Sequence, residues 1–311
     1  MEAIHTPVLV EEAIHYLAPR AKGELMVDAT LGEGGHSRAF LSRFPDLSII
    51  GIDVDPAIQE IARERLKEFG ERIRFHSGWA QDFFKAYPGE FKRPNIILID
   101  QGVSLFHYHR SSRGFSFRKD EVLDMRLDPR LGPGAAEIIA TLGERELADL
   151  LFRNAGERYS RRIAGAIVEA RKQGALRSSR ALGELVEQAV PAAYRNGPVH
   201  AATKTFLALR IAANKELDRL GDLLEAALQV LEPGGRLGVI SFHSLEDRIV
   251  KGFFRQKSGV STRPPEAPID RKNGRTVVVL SPKGLVPTEA EKRANPPSRS
   301  ARLRVAEKIL D

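Results

Sequence analysis

The chain contains no cysteine. That excludes disulfides, cysteine-ligated zinc and iron–sulfur clusters. It also excludes any reaction that depends on a thiolate nucleophile. Long hydrophobic runs are missing as well: none approaches the ~20 apolar residues that cross a bilayer. Glu2, Glu11 and Glu12 interrupt the start, where a secretion signal carries its apolar stretch. The expectation is a soluble, cytoplasmic protein with no membrane partner. Tryptophan occurs once, at Trp79. Internal repeats are lacking too.

What is present is enough apolar sequence for a real core, 42% of 311 residues, a length that suits about two domains. The net charge of +7 is unevenly spread. From Lys251 to Arg304 there are 13 basic and 4 acidic residues. A basic tail region on a near-neutral body suits a polyanion, most simply nucleic acid, although a merely soluble basic surface has the same composition.

Strand patterns at ELMVDA, LSIIGID, RIRFHSG and NIILID alternate with helical ones at SRAFLSRF and PAIQEIARERLKEF. This alternation, with nearly continuous apolar strands, predicts a parallel sheet covered on both faces. Near the start, Thr6 as N-cap and Pro7 at the first helical position predict a helix. From Arg113 to Asn214 the strand signals stop and helical patterns follow one another, until RLGVISF returns to strand and RTVVVL and LRVAEKIL follow as late strands. The expected organisation is an α/β domain over residues 1–112, an inserted helical domain over 113–214 that recognises substrate, and the rest of the α/β domain with its basic tail over 215–311. STRPPEAPIDRKNG, rich in proline and charge, predicts a mobile loop.

The stretch VDATLGEGGHSRAF, residues 27–40, reads as strand end, glycine turn and helix start. A full dinucleotide fingerprint needs a third glycine at position 37, where Ser37 stands. Alone, such a turn also occurs without a ligand. Asp53, at the tip of the next strand, is placed to accept both hydroxyls of a ribose. Asp55 competes for that role but precedes Pro56 and reads better as a helix N-cap. Trp79 follows the third strand, as an adenine wall or a core aromatic, and Asp100 ends the fourth. In open α/β sheets ligands sit beyond the carboxyl ends of the strands. The ordered set suits S-adenosylmethionine better than a dinucleotide, because no second mononucleotide-binding half follows. His107 and His109 have the spacing of a metal pair but no supporting ligand cluster, so no metal is expected.

HTPVL, DATLGEGGHS, GIDVDP, RGFSFR, LDMRLDP, GERYSRRIA, TKTFLALRIAANKEL, LEPGGRLGVISFHSLEDRIVK and NPPSRSARLRVAEK together resemble the bacterial small-subunit ribosomal RNA methyltransferase H family, also called MraW. The resemblance covers nearly the whole chain. It implies a class I S-adenosylmethionine-dependent methyltransferase fold, Rossmann-like, with an inserted all-helical domain. It implies N4-methylation of one cytidine in the P-site region of 16S ribosomal RNA, with the small ribosomal subunit as partner. The family's cofactor positions fall on Gly34, Gly35, His36, Asp53, Trp79, Asp100 and His107. After the fourth strand this chain reads DQGVSLFHYH, departing from the family at Gln101, Leu105, Phe106 and His107 while keeping Asp100, Gly102, Val103 and Ser104.

Asp100 and Ser104 are the expected catalytic acceptors beside the target amine. Asp100 has a second possible role at the amino end of the cofactor. Phe115 and Phe117 are candidates to stack on an unstacked base, or to pack the insertion against the core. Arg113, Arg118 and Arg126 are candidates for phosphates, the first two counted with both phenylalanines as substrate-binding. Two other functions stay open: a methyltransferase for a small molecule or protein, and a ribosome-assembly factor that keeps the fold without turnover. Oligomeric state is also open, a homodimer included.

Overall fold

The computed structural model describes residues 6–130, 132–174, 176, 178–259 and 275–309. The expected loop STRPPEAPIDRKNG lies outside the described residues. The chain divides into two compact units: Met1–Val103 with Leu217–Asp311, and Ser104–Glu216.

The first unit is built on one seven-stranded sheet. Its strands are β1 Leu25–Asp28, β2 Ser48–Asp53, β3 Ile73–Ser77, β4 Ile96–Asp100, β5 Arg236–Ser241, β6 Val277–Val279 and β7 Arg302–Lys308. Their order is β3-β2-β1-β4-β5-β7-β6. The first five are parallel; β7 runs antiparallel to both β5 and β6. Side chains alternate between the faces with the pleat. Val27, Ile52, Ile97 and Val239 join Phe83, Leu224 and Phe254 on one face. Met26, Ile49, Leu98 and Ile240 join Leu17, Phe40 and Leu66 on the other. Burial on both sides is why these strands are apolar throughout. The strand order reverses between β1 and β4, which opens a crevice at their carboxyl ends.

The first helix begins later than its sequence signals predict. It covers Val10–Leu17, behind Leu9 in a left-handed conformation, φ 53°. Tertiary bonds hold the preceding residues out of the helix. Asn295 Nδ2 donates to the Thr6 carbonyl at 3.0 Å, and Leu9 N–H donates to Glu291 at 2.7 Å. Short helices at Ala80–Lys85, Leu105–His109 and Glu289–Ala294 had no periodic signal long enough to read.

In the second unit, the helices Ala135–Thr141, Glu144–Ala155, Ser160–Lys172, Ser179–Ala189 and Thr203–Asn214 surround a core that includes Leu147, Leu151, Ile163, Ile167, Leu182 and Leu209. A non-helical stretch before these helices is held by side-chain bonds. Asn214 accepts from Leu127 N–H at 2.7 Å and donates to the Met125 carbonyl at 2.8 Å. Gly114, at φ 73°, has Val122 O where a Cβ would stand. No described helix is long and apolar enough to cross a membrane.

Candidate active site

The sheet's hydrogen bonding continues past the strand ends and shapes the glycine turn. Ala29 N–H donates to Leu98 O at 2.9 Å and Leu31 N–H to Ile52 O at 2.8 Å. Gly34 N–H closes the turn on Leu31 O at 2.8 Å. Gly32 and Gly34 both have positive φ, 52° and 75°. A Cβ on Gly34 would stand 2.8 Å from Leu66, whereas one on Gly32 would meet nothing within 4 Å. Gly34 therefore answers to packing, and Gly32 borders open space. Gly35 starts the helix Gly35–Arg43, whose first N–H groups have no partner within the helix.

Asp53 ties neighbouring strand tips together. One carboxylate oxygen accepts from Gly32 N–H at 2.8 Å and the other from Asp55 N–H at 2.9 Å. Asp55 caps the helix Pro56–Leu66 by accepting from Ala57 N–H at 3.0 Å, which is the role its sequence context predicts. On β3, Gly78 N–H donates to Asp53 O at 2.9 Å, placing Trp79 immediately beyond the Asp53 tip. The Arg219 guanidinium lies over the Trp79 ring, 4.1 Å from its centroid.

Asp100 receives support from three directions. Its N–H donates to Thr30 Oγ1 at 2.6 Å, its Oδ1 accepts from Gly102 N–H at 2.9 Å, and its Oδ2 is 3.6 Å from His36 Nδ1. His36 is buried, and its Nε2 stands 2.9 Å from the Val8 carbonyl. A carbonyl only accepts, so Nε2 carries hydrogen there. Asp28 lies beneath, 2% exposed, and accepts from Ser37 Oγ at 2.7 Å. Burial pushes its carboxyl above the usual carboxylate range, and the charge of Asp100 adds to this; the Ser37 hydroxyl and His36 act in the opposite direction. Ser37 thus occupies the place of a third glycine and locks the acid at the end of β1.

Gly34, Gly35, His36, Asp53, Trp79 and Asp100 therefore share one sheet edge in the first unit. Ser104, His107, Arg113, Phe115, Phe117 and Arg118 belong to the second. Ser104 Oγ accepts from Phe106 N–H at 3.1 Å and caps the helix Leu105–His109. His107 is buried, with its ring centroid 5.2 Å from that of Phe115. Phe115 is itself 4% exposed and packs against Tyr108 as well. The neighbours that cover the ring belong to its own unit. Phe117 is half-buried and stacks on His200, centroids 4.1 Å apart and planes 14° from parallel. Arg113 donates to the carbonyls of Arg126 and Leu127, both at 3.0 Å. Arg126 pairs with Asp124, at 2.6 Å for the closer contact. Arg118 is exposed.

Three residues escaped the sequence reading. Ser37 was seen only as a missing glycine, although a hydroxyl at a helix start after a strand-end acid is a usable signal. Thr30 and Arg219 carry no such mark, since only folding brings them to Asp100 and Trp79.

A parallel sheet reversed at β7, a glycine turn after β1, an acid at the tip of β2 and another at the tip of β4 define a class I, Rossmann-like methyltransferase. The model of the MraW methylase family matches residues 2–309, and the chain belongs to that family. It is similar to proteins named ribosomal RNA small subunit methyltransferase H. The Treponema denticola protein is 56% identical over 99% of this chain and 98% of its own. The Treponema pallidum protein is 41% identical over 98% and 92%. The Syntrophobacter fumaroxidans protein is 44% identical over 98% and 96%.

The cofactor of this methyltransferase is S-adenosylmethionine, and the residues present fit it. Gly32 borders open space at the turn. Trp79 stands immediately beyond the tip that carries Asp53 and is only partly buried. Asp53 would offer carboxylate acceptors to a ribose, and the start of helix Gly35–Arg43 would offer N–H donors to an amino-acid carboxylate.

Proposed function

We propose that the protein methylates the exocyclic N4 of one cytidine in the 16S RNA of the small ribosomal subunit, acting in the cytoplasm. The whole-length match to relatives named ribosomal RNA small subunit methyltransferase H, one of them 56% identical, supports the small-subunit RNA as substrate, and the motif resemblance implies N4 of a cytidine as the acceptor. The missing cysteine supports it from the chemical side, because methylation at carbon 5 of a pyrimidine normally needs a thiolate. The uneven basic charge suits an RNA partner.

The cofactor supplies an electrophilic methyl group on a sulfonium. Asp53 would hold the ribose, Trp79 the base, and the turn at Gly34 and Gly35 with His36 the amino-acid end; the family resemblance adds His107. The amine of cytosine is a weak nucleophile because its lone pair is shared with the ring. An acceptor beside the N–H directs that lone pair toward the methyl and takes up the proton released. Asp100 is that acceptor, its carboxylate oriented by Gly102 N–H. Ser104 Oγ is the second acceptor on the amine. Phe117 and Arg118 meet the RNA, the ring on a base and the guanidinium on a phosphate, while Arg113 and Phe115 shape the loop that carries them.

The test uses small subunits from cells lacking the enzyme, incubated with protein and methyl-labelled cofactor, then digested to nucleosides for mass spectrometry. N4-methylcytidine is the expected product. 2′-O-methylcytidine or 5-methylcytidine would overturn the acceptor. No product from a cofactor-saturated enzyme would favour a ribosome-assembly role, the reading to which the divergent DQGVSLFHYH segment gives weight.

A further inference from the structure

Arginines gather at one corner of the helical unit with no acid to answer them. Arg158 lies in the turn before the helix Ser160–Lys172, and Arg161 and Arg162 stand in its first turn. Arg195 ends the short helix Ala192–Arg195. All of them are exposed, and none of these side chains forms a hydrogen bond or ion pair among the described residues. Other arginines of this unit are engaged. Arg126 pairs with Asp124, Arg130 with Asp128 and Arg210 with Glu216, and Arg171 donates to the carbonyls of Ile139 and Leu142.

Arg158 is nonetheless held in place. Its guanidinium carbon lies 4.9 Å from the centroid of the Tyr159 ring and 4.6 Å from that of Tyr194. The two rings meet edge to face, centroids 5.0 Å apart. Glu157, fully buried, fixes both residues. One of its oxygens accepts from Tyr159 N–H and the other from the Tyr194 hydroxyl, each at 2.8 Å. Burial, and then that carboxylate, push the Tyr194 phenol up to about 12, so it keeps its proton and goes on donating. A buried carboxylate is costly, and this one secures the rings beneath an exposed cation.

Stacking occupies the face of a guanidinium. Its N–H groups lie in the plane and stay free to fork onto an anion. A side chain already held loses little freedom on binding. Helix stability does not account for the neighbouring charges, because positive charge in a first turn opposes the helix dipole. Like charges this close also repel one another. An extended polyanion offsets both costs, and arginines set among aromatic rings suit a nucleic-acid backbone.

We propose that Arg158, Arg161, Arg162 and Arg195 form a face that grips the phosphate backbone of the small-subunit RNA, with Arg158 held ready by Tyr159 and Tyr194. This rests on the RNA half of the proposed function. It gives a part to GERYSRRIA, residues 156–164, which the methyl-transfer chemistry leaves unused.

The probe is the small ribosomal subunit from cells lacking the enzyme, bound in the presence of S-adenosylhomocysteine so that no methyl moves. Arg158→Ala combined with Arg161→Ala and Arg162→Ala should weaken binding by at least ~10-fold, the range for lost charge-assisted bonds. The slope of log affinity against log salt should become shallower by about 2, as three lost contacts to single-stranded phosphates predict. Affinity for S-adenosylhomocysteine and the denaturation midpoint should stay near wild type, which separates lost contacts from lost structure. Arg158→Lys keeps the charge but not the fork and should fall between. If the triple variant melts early, Arg158→Lys and the pair Arg161→Ala with Arg162→Ala carry the test. That pair should cost much more than Arg145→Ala with Lys172→Ala, which removes the same exposed charge elsewhere on the unit.

Wild-type affinity and slope in the triple variant overturn the proposal and leave the RNA reading intact. Equal losses in the two charge-matched pairs also overturn it, because net charge alone predicts that. Weaker binding to subunits with unchanged binding to protein-free 16S RNA would assign the face to a ribosomal protein and overturn it too. If wild type binds neither, the RNA reading itself falls, and this proposal with it.

Discussion

Asp53 gives one carboxylate oxygen to Gly32 N–H and the other to Asp55 N–H. Its orientation is therefore set before any ligand arrives, and little ordering is left to pay for on binding. Replacing it with alanine removes charge-assisted acceptors from the ribose, an expected loss of about 1.5–3 kcal/mol in cofactor affinity by calorimetry. Asp55, already engaged as a helix cap, should not substitute. Asp28 offers a test through pH. Its folded-state pKa lies above the unfolded value, so the native state holds this proton more tightly. Its contribution is complete below the unfolded pKa, near 4, and declines as pH rises through the raised value. Denaturation midpoints across that window should show the decline, and Asp28→Asn should flatten it. A slope of the same size in Asp28→Asn would assign the effect to other groups.

The elements of the second unit owe their arrangement to a few buried contacts that helical periodicity does not reveal. Asn214 joins the end of helix Thr203–Asn214 to the strandless stretch through Leu127 N–H and Met125 O. Asn214→Ala leaves both groups unpaired, an expected cost of about 2–4 kcal/mol. Hydrogen exchange should quicken first around residues 113–127. Leu209, fully buried in the same helix, should cost about 2–5 kcal/mol when cut back to alanine. The two variants differ in an informative way: Leu209→Ala weakens the bundle, whereas Asn214→Ala also releases the segment that carries Arg113 and Phe117. Subunit methylation should therefore fall further in Asn214→Ala than in a Leu209 variant of matched stability. Equal losses would mean that the segment needs no tether.

At the scale of the whole molecule, the proposed function assigns the cofactor to the sheet unit and RNA recognition to the helical unit. Joining Val103 to Leu217 through a short linker should leave S-adenosylhomocysteine binding within a few-fold of wild type and abolish methylation of subunits. A shortened protein that still methylates at the normal rate would give the helical unit another purpose. Charge acts at this scale as well. An excess of 7 positive charges, concentrated toward the C-terminal region, predicts that RNA affinity falls as salt rises, linearly on logarithmic axes. Binding of S-adenosylhomocysteine should depend on salt far less.

The sequence by itself determined the alternation of strands and helices, because strands buried on both faces must be apolar throughout and helices on one side only. It determined the glycine turn and Asp55 as a cap as well, since left-handed turns and helix starts are local matters of backbone and neighbouring side chain. The acids at the strand tips were legible for the same reason: each lies at the end of its own apolar run. Tertiary structure alone decided the rest. The first helix starts at Val10 because residues distant in the chain, Glu291 and Asn295, hold its first signals away from the helix. Phe115 turned inward because His107 and Tyr108 cover it. Arg219 reached Trp79 only because the helix that bears it shares a buried core with the helix that follows Trp79. Such pairings depend on where separate elements meet, and no periodicity in a single element encodes that.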